Sequence, residues 1–211
     1  MSPALLVAAA ISGFLHIRAD YRRQWSLTYV FKPLTMLLIL GLALQGGQSD
    51  FYRNAIVTGL TLSLIGDIFL MLKPARFLAG LAAFLFAHLA YLIAFASLVK
   101  NAHPIASAAA LIAGLIMLHF LWPGLGRLRL PVILYITAIV AMVAAASSAA
   151  LEAPSIGRLT AAAGALAFMI SDAILGVARF RQAFPAAQGL ILSSYYLGQG
   201  LIALSAGSLN G

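Results

Sequence analysis

The chain has 211 residues, 63% of them hydrophobic and only 9% charged. A soluble domain carries about 25% charged residues and a disordered one has low hydrophobicity, so composition excludes both. The formal charge of +8 lies in short clusters between long apolar stretches, where it reports membrane topology and not a nucleic-acid surface.

A helix needs about 20 mostly apolar residues to cross a bilayer core. Runs of that kind, bounded by charge, Pro or Gly, fall at 3–17, 27–46, 53–72, 77–98, 104–122, 130–150, 157–178 and 187–208. The first lacks a basic segment before it, so it is read as a short span and not as a signal peptide. The expected fold is all-α: a polytopic membrane bundle of eight helices, one integral domain over 1–211 with no separate soluble part.

Lys and Arg are distributed unevenly over alternate connections. Arg18, Arg22, Arg23, Lys73, Arg76, Arg127, Arg129, Arg179 and Arg181 fall on one side, against Arg53, Lys100 and Arg158 on the other. The bias places the first group in the cytoplasm and both termini outside it. The expected location is a bacterial inner membrane. The segment from Asp67 through Ala75-Arg76-Phe77 also resembles that from Asp172 through Ala178-Arg179-Phe180, at the third/fourth and seventh/eighth spans. This suggests two parallel four-helix repeats, 1–102 and 103–211, related by an axis along the membrane normal.

Three of the five acids, Asp20, Asp50 and Glu152, lie in loops or at span ends, where water solvates them. Asp67 and Asp172 lie within apolar spans. A mid-span acid costs about 2.5–3.5 kcal/mol on insertion scales, so it faces a bundle interior or a wet cavity and is a functional candidate. At 1.5 Å per residue both carboxyls lie about 8 Å inside the cytoplasmic edge. Lys32, followed by Pro33, and Tyr135 enter their spans to the same depth. His88, Tyr91, Tyr195, Tyr196 and Gln199 descend from this layer toward the midplane, with His88/Tyr91 and the last three at helical spacing.

Two carboxyls in an apolar layer separate into one acid and one carboxylate, which supplies a general acid and a general base. Lys32 either biases that division or holds a phosphate. The bland alternative for the acids is an ion pair with Lys32. His16 and His119 are expected at the interface and His103 in a loop. Scattered histidines, no H-E-x-x-H pattern and no cysteine argue against a metal site. Ser171 beside Asp172 lacks the elbow motif of a serine nucleophile. A proton-coupled small-molecule or lipid transporter is the alternative from a different class, its acids relaying protons.

Lys32-Pro33-Leu34, Gly66-Asp67-Ile68-Phe69-Leu70-Met71, Gly80 with Phe84, His88 and Tyr91, Ser171-Asp172 with Phe180, and Tyr195-Tyr196 with Gln199 run in order from the second span to the eighth. In this the chain resembles the YhhN family of eight-span membrane proteins, whose animal members are lysoplasmalogenases. The resemblance implies hydrolysis of the vinyl-ether bond of a lysoplasmalogen to a fatty aldehyde and glycerophospho-ethanolamine or -choline. It implies catalysis by Asp67 and Asp172, with Lys32, His88, Tyr91, Tyr135, Tyr195, Tyr196 and Gln199 around the substrate. Neither metal nor organic cofactor is expected. The expected partners are a lysophospholipid in the inner leaflet and bilayer lipids, with no nucleic acid. Hydrolysis of another ether or lysolipid stays open, as does the oligomeric state.

Overall fold

A computed structural model describes residues 2–45, 51–72 and 76–208. Among them eight α-helices carry nearly the whole chain: α1 Pro3–Tyr21, α2 Trp25–Leu44, α3 Phe51–Met71, α4 Phe77–Ala96, α5 Pro104–Leu121, α6 Arg129–Glu152, α7 Ile156–Phe180 and α8 Ala187–Ser208. Two 3-10 turns, Trp122–Gly124 and Gly126–Leu128, join α5 to α6. All eight are long and apolar enough to cross a membrane. Their outward faces carry large apolar side chains, such as Leu111, Ile112, Leu115 and Ile116 of α5, which suits lipid as the outer solvent. The protein is an integral membrane helix bundle. Asp50, Lys73 and Ala75, used above for charge and repeat, lie outside the described residues.

The first span is longer than expected. It continues through Arg18 and Asp20 to Tyr21 and ends where the N–H of Gln24 donates to Ala19 O and that of Arg23 to Asp20 O, both at 2.9 Å, with Arg23 at φ 55°. This 6→1, 5→2 pair is a Schellman ending, and apolar counting misses it because the last turn of the helix is polar. Asp20 is therefore a half-buried helical residue at the end of its span.

Short connections make consecutive helices antiparallel. Tyr21 Oη donates to Pro185 O at 3.4 Å and Tyr29 Oη to Met71 O at 3.1 Å, so the ends of α1 and α3, the start of α2 and the α7–α8 connection share one end of the bundle. That end carries Arg18, Arg22, Arg23, Arg76, Arg127, Arg129, Arg179 and Arg181, and is called the basic end below. At the opposite end the N–H of His103 donates to Ser148 Oγ at 3.0 Å and that of Lys100 to Glu152 at 2.9 Å.

The helices pair as α1 on α2, α3 on α4, α5 on α6 and, most extensively, α7 on α8, while α2–α8 and α4–α6 contacts join the pairs. The α7–α8 seam depends on two glycines. A Cβ on Gly198 would lie 2.9 Å from Gly164 O and from Phe168 N. Without side chains there, the two backbones approach closely, as small residues permit between membrane helices. Phe168, on the same seam, reaches the centre of an aromatic core with Phe84, Tyr91, Tyr195 and His88.

Candidate active site

Asp67 and Asp172, 2% and 7% exposed, lie toward the basic end of α3 and α7 and line one cavity of about 250 Å³. Phe84 and Phe168 wall it, and Lys32, Tyr195, Ser171 and Gln188 bring polar groups to it. Lys32 Nζ lies 3.1 Å from Asp67 Oδ1, and Tyr195 Oη donates to Asp67 Oδ2 at 2.7 Å. Asp67 is thus held by a cation and a hydroxyl, one from α2 and one from α8.

Asp172 has different company. Tyr135 Oη of α6 donates to its Oδ2 at 2.8 Å, and His88 Nε2 of α4 is 3.3 Å from the same oxygen. No lysine or arginine among the described residues pairs with it. The buried His88 ring packs tilted against Phe168 at 4.6 Å between centroids and meets Tyr135 edge-on at 5.0 Å. Beyond Asp172 lies a small apolar recess of about 40 Å³, lined by Phe77, Leu81, Met117, Leu121 and Leu175 among others.

The four residues that sequence counting assigns to one layer therefore meet as two pairs, Lys32 with Asp67 and Tyr135 with Asp172. The remaining candidates divide. Tyr195 joins Asp67 and His88 joins Asp172. Tyr91 instead donates to Gln199 Oε1 at 2.6 Å, and Gln199 Nε2 donates to Ser63 Oγ at 3.0 Å, a closed network away from the cavity lining. Its geometry depends on Gly59, where a Cβ would overlap the Tyr91 ring. Tyr196, adjacent to Tyr195 on the helix, points to the far side of α8. There it bonds His16 Nδ1 at 2.7 Å and borders an apolar groove between α1, α2 and α8.

Ser171 Oγ donates to Ile191 O at 2.9 Å and so ties α7 to α8. His16 corrects the expectation of an interfacial residue: it is 1% exposed, inside the bundle. His119 is exposed, and His103 precedes α5. Among the described residues no three His or acidic side chains converge as a metal set.

A second cavity of about 460 Å³ lies nearer the basic end and shares Lys32, Leu70 and Gln188 with the first. His16, Asp20, Thr28 and Tyr29 also line it. The sequence reading put His16 at the interface and Asp20 at a span end, and did not single out Thr28. The available signal was spacing: His16/Asp20 and Thr28/Lys32 are both i, i+4 pairs, each on one face of its helix.

The family model of the YhhN family matches residues 27–206. A membrane protein of Escherichia coli named YhhN is 31% identical over 201 residues, covering 94% of this chain and 96% of its own. A Mycobacterium tuberculosis protein named lysoplasmalogenase is 34% identical over 155 residues, 69% of this chain and 58% of the relative. The human protein named lysoplasmalogenase TMEM86B is 33% identical over 185 residues, 83% of this chain and 73% of the relative. No solved structure matches. Family match, relatives and eight-helix architecture agree, and the chain belongs to the YhhN family.

Proposed function

We propose that the protein is a lysoplasmalogenase-like hydrolase that cleaves a vinyl ether between Asp67 and Asp172. The observation that carries this reading is the unequal environment of two buried acids on one cavity: a lysine and a tyrosine on Asp67, a tyrosine and a histidine on Asp172. The names of the mycobacterial and human relatives point to the same chemistry.

The geometry also suggests which acid does what. The Lys32 ammonium supplies the counter-charge for an Asp67 carboxylate. Asp172, which pairs with no lysine or arginine among the described residues, is the proton donor. A lysoplasmalogen entering with its polar head at the wider cavity and its hydrocarbon toward the apolar recess presents the glycerol ether oxygen to Asp67 and the outer vinyl carbon to Asp172. Asp172 protonates that carbon, and the inner carbon becomes an oxocarbenium ion beside the Asp67 carboxylate, which stabilises the charge. Asp67 takes a proton from the water that adds to the inner carbon, giving a hemiacetal. The hemiacetal hydroxyl returns its proton to Asp172 as the glycerol oxygen leaves with the proton from Asp67. One water is consumed, an aldehyde and a glycerol hydroxyl form, and both acids regain their starting states.

Tyr135, Tyr195 and His88 act as positioning residues, and the Tyr91–Gln199–Ser63 network holds α3, α4 and α8 in register beneath the site. Equivalent stations of the two acids support a duplicated architecture, since Asp67 is met from α2 and α8 and Asp172 from the corresponding α6 and α4. The charge bias supports a cytoplasmic basic end and, with it, a site on the inner-leaflet side. The reading is tested by incubating purified protein in deuterated water with a lysoplasmalogen and an acyl lysolipid, then trapping aldehyde by reduction. The expected product comes from the vinyl ether alone, with one deuterium next to the aldehyde carbon. Release of fatty acid instead, or no product, contradicts it.

A further inference from the structure

The corner where α5 turns into α6 carries positive charge that the described part of the chain does not balance. Arg127 and Arg129 are exposed there. Exposed Arg181 joins them, because Gly124 of the turn packs directly against Phe180 O at the end of α7. None of the three forms an ion pair among the described residues. Of the acids described at this end, Asp67 and Asp172 are buried in the bundle, and Asp20 lies on α1, which packs on α2 and α8. Beside the arginines is an outward cleft of about 330 Å³ lined by Leu115, Leu118, His119, Trp122 and Pro123. The two 3-10 turns, with Gly126 at φ 49°, reverse the chain so that the Arg129 guanidinium lies 4.6 Å over the centre of the Trp122 ring. That contact holds the charge at the polar end of the cleft.

We infer that this cleft binds an anionic phospholipid of the bilayer, its phosphate against Arg129 and one hydrocarbon chain along Leu115 and Leu118. Leucines, then an imidazole, an indole and a guanidinium, follow one another along α5 toward the basic end, which is the polarity profile of a lipid at the edge of a bilayer. Charge selects the head group. A zwitterionic head brings an ammonium to a corner with no carboxylate to receive it, whereas a head of net negative charge neutralises arginines that lack a partner. A second copy of the chain, docked here about a two-fold axis, would bring the same arginines against one another. The site is separate from the catalytic cavity, since Met117 and Leu121 of α5 line the recess beyond Asp172 and the helix stands between the two. α5 packs chiefly on α6 and only slightly on α7. A lipid touching Trp122 and Arg129 joins the end of α5 to the start of α6, and so stabilises the folded state.

The test titrates full-length protein in a neutral detergent with phosphatidylglycerol or with phosphatidylcholine of the same chains. The unfolding midpoint and the lipid retained in native mass spectrometry are read together, and neither needs turnover. The wild type is expected to retain phosphatidylglycerol in preference, with a raised midpoint, and to lose that preference as salt is added. Arg129→Gln lowers the affinity for phosphatidylglycerol about five-fold, the effect of one basic side chain at a membrane surface, and leaves phosphatidylcholine unchanged. Arg129→Lys keeps the preference. Arg22→Gln, exposed at the same end of the bundle but on the α1 side, binds as the wild type does. Equal retention of the two lipids by the wild type, or an equal loss in Arg129→Gln and Arg22→Gln, overturns the site. A midpoint shift reproduced by inorganic phosphate at the same concentration overturns it too, since the cleft then holds a free anion. A dimer that retains no lipid assigns the face to a second copy and has the same consequence.

Discussion

Replacing Lys32 with Met separates the stability of the site from its chemistry. The lysine is the only cation paired with Asp67 among the described residues, at 3.1 Å, and the carboxyl side chain is 3% exposed. After Lys32→Met, the Tyr195 hydroxyl is the one hydrogen-bond donor left to Asp67 among the described residues. Removing one partner of a buried pair costs about 3–5 kcal/mol. Because Lys32 borders both cavities and water can enter where the ammonium was, the lower end, about 3 kcal/mol, applies. For a chain of this size each kcal/mol moves the unfolding midpoint by roughly 2–4 °C, so a fall of about 6–12 °C is expected in detergent. Lys32→Met/Asp67→Asn removes both charges and regains most of that loss. Aldehyde release by the double variant is at least about a hundred-fold slower than by the wild type, since no carboxylate faces the developing cation. Thermal unfolding of the two single variants and the double variant gives the coupling directly. Effects that add within about 0.5 kcal/mol, the behaviour of independent sites, would refute the pairing argument.

Three other substitutions probe the frame. Gly198→Leu drives a side chain into Gly164 O and the Phe168 backbone and lowers stability by at least about 1–3 kcal/mol. Gly200→Ala, whose Cβ meets nothing within 4 Å, does not lower the melting midpoint, since alanine suits a helix interior better than glycine. Tyr91→Phe strips the donor from buried Gln199 Oε1, costs about 1–3 kcal/mol and lowers the midpoint while KM stays as in the wild type. Ser171→Ala loses the bond to Ile191 O and retains aldehyde release, since the hydroxyl acts as a tie and not as a nucleophile.

The helices were legible because lipid imposes a length and a polarity on each of them. Their polar ends were not, as α1 shows by continuing through Arg18 and Asp20 to a Schellman turn at Arg23. Depth counting brought Lys32, Asp67, Tyr135 and Asp172 into one layer, because rise per residue is constant in a helix. It could not say which side chains touch, since that depends on the rotation of each helix about its axis. Adjacent Tyr195 and Tyr196 illustrate the point: one faces Asp67 and the other faces His16 across the opposite side of α8. Burial of His16 escaped notice for the same reason, although its spacing to Asp20 and that of Thr28 to Lys32 were visible. Cavities arise from gaps between helices distant in sequence and have no local signature.

The most direct measurement is the single-turnover rate of aldehyde release from a lysoplasmalogen by wild type, Asp67→Asn and Asp172→Asn, each checked for a cooperative unfolding transition. General acid–base catalysis is worth about 10²–10⁴-fold, so each variant is predicted to lose at least about a hundred-fold in rate while remaining folded. A folded variant of either kind that releases aldehyde at the wild-type rate would contradict the assignment of the two aspartates as the acid and the base.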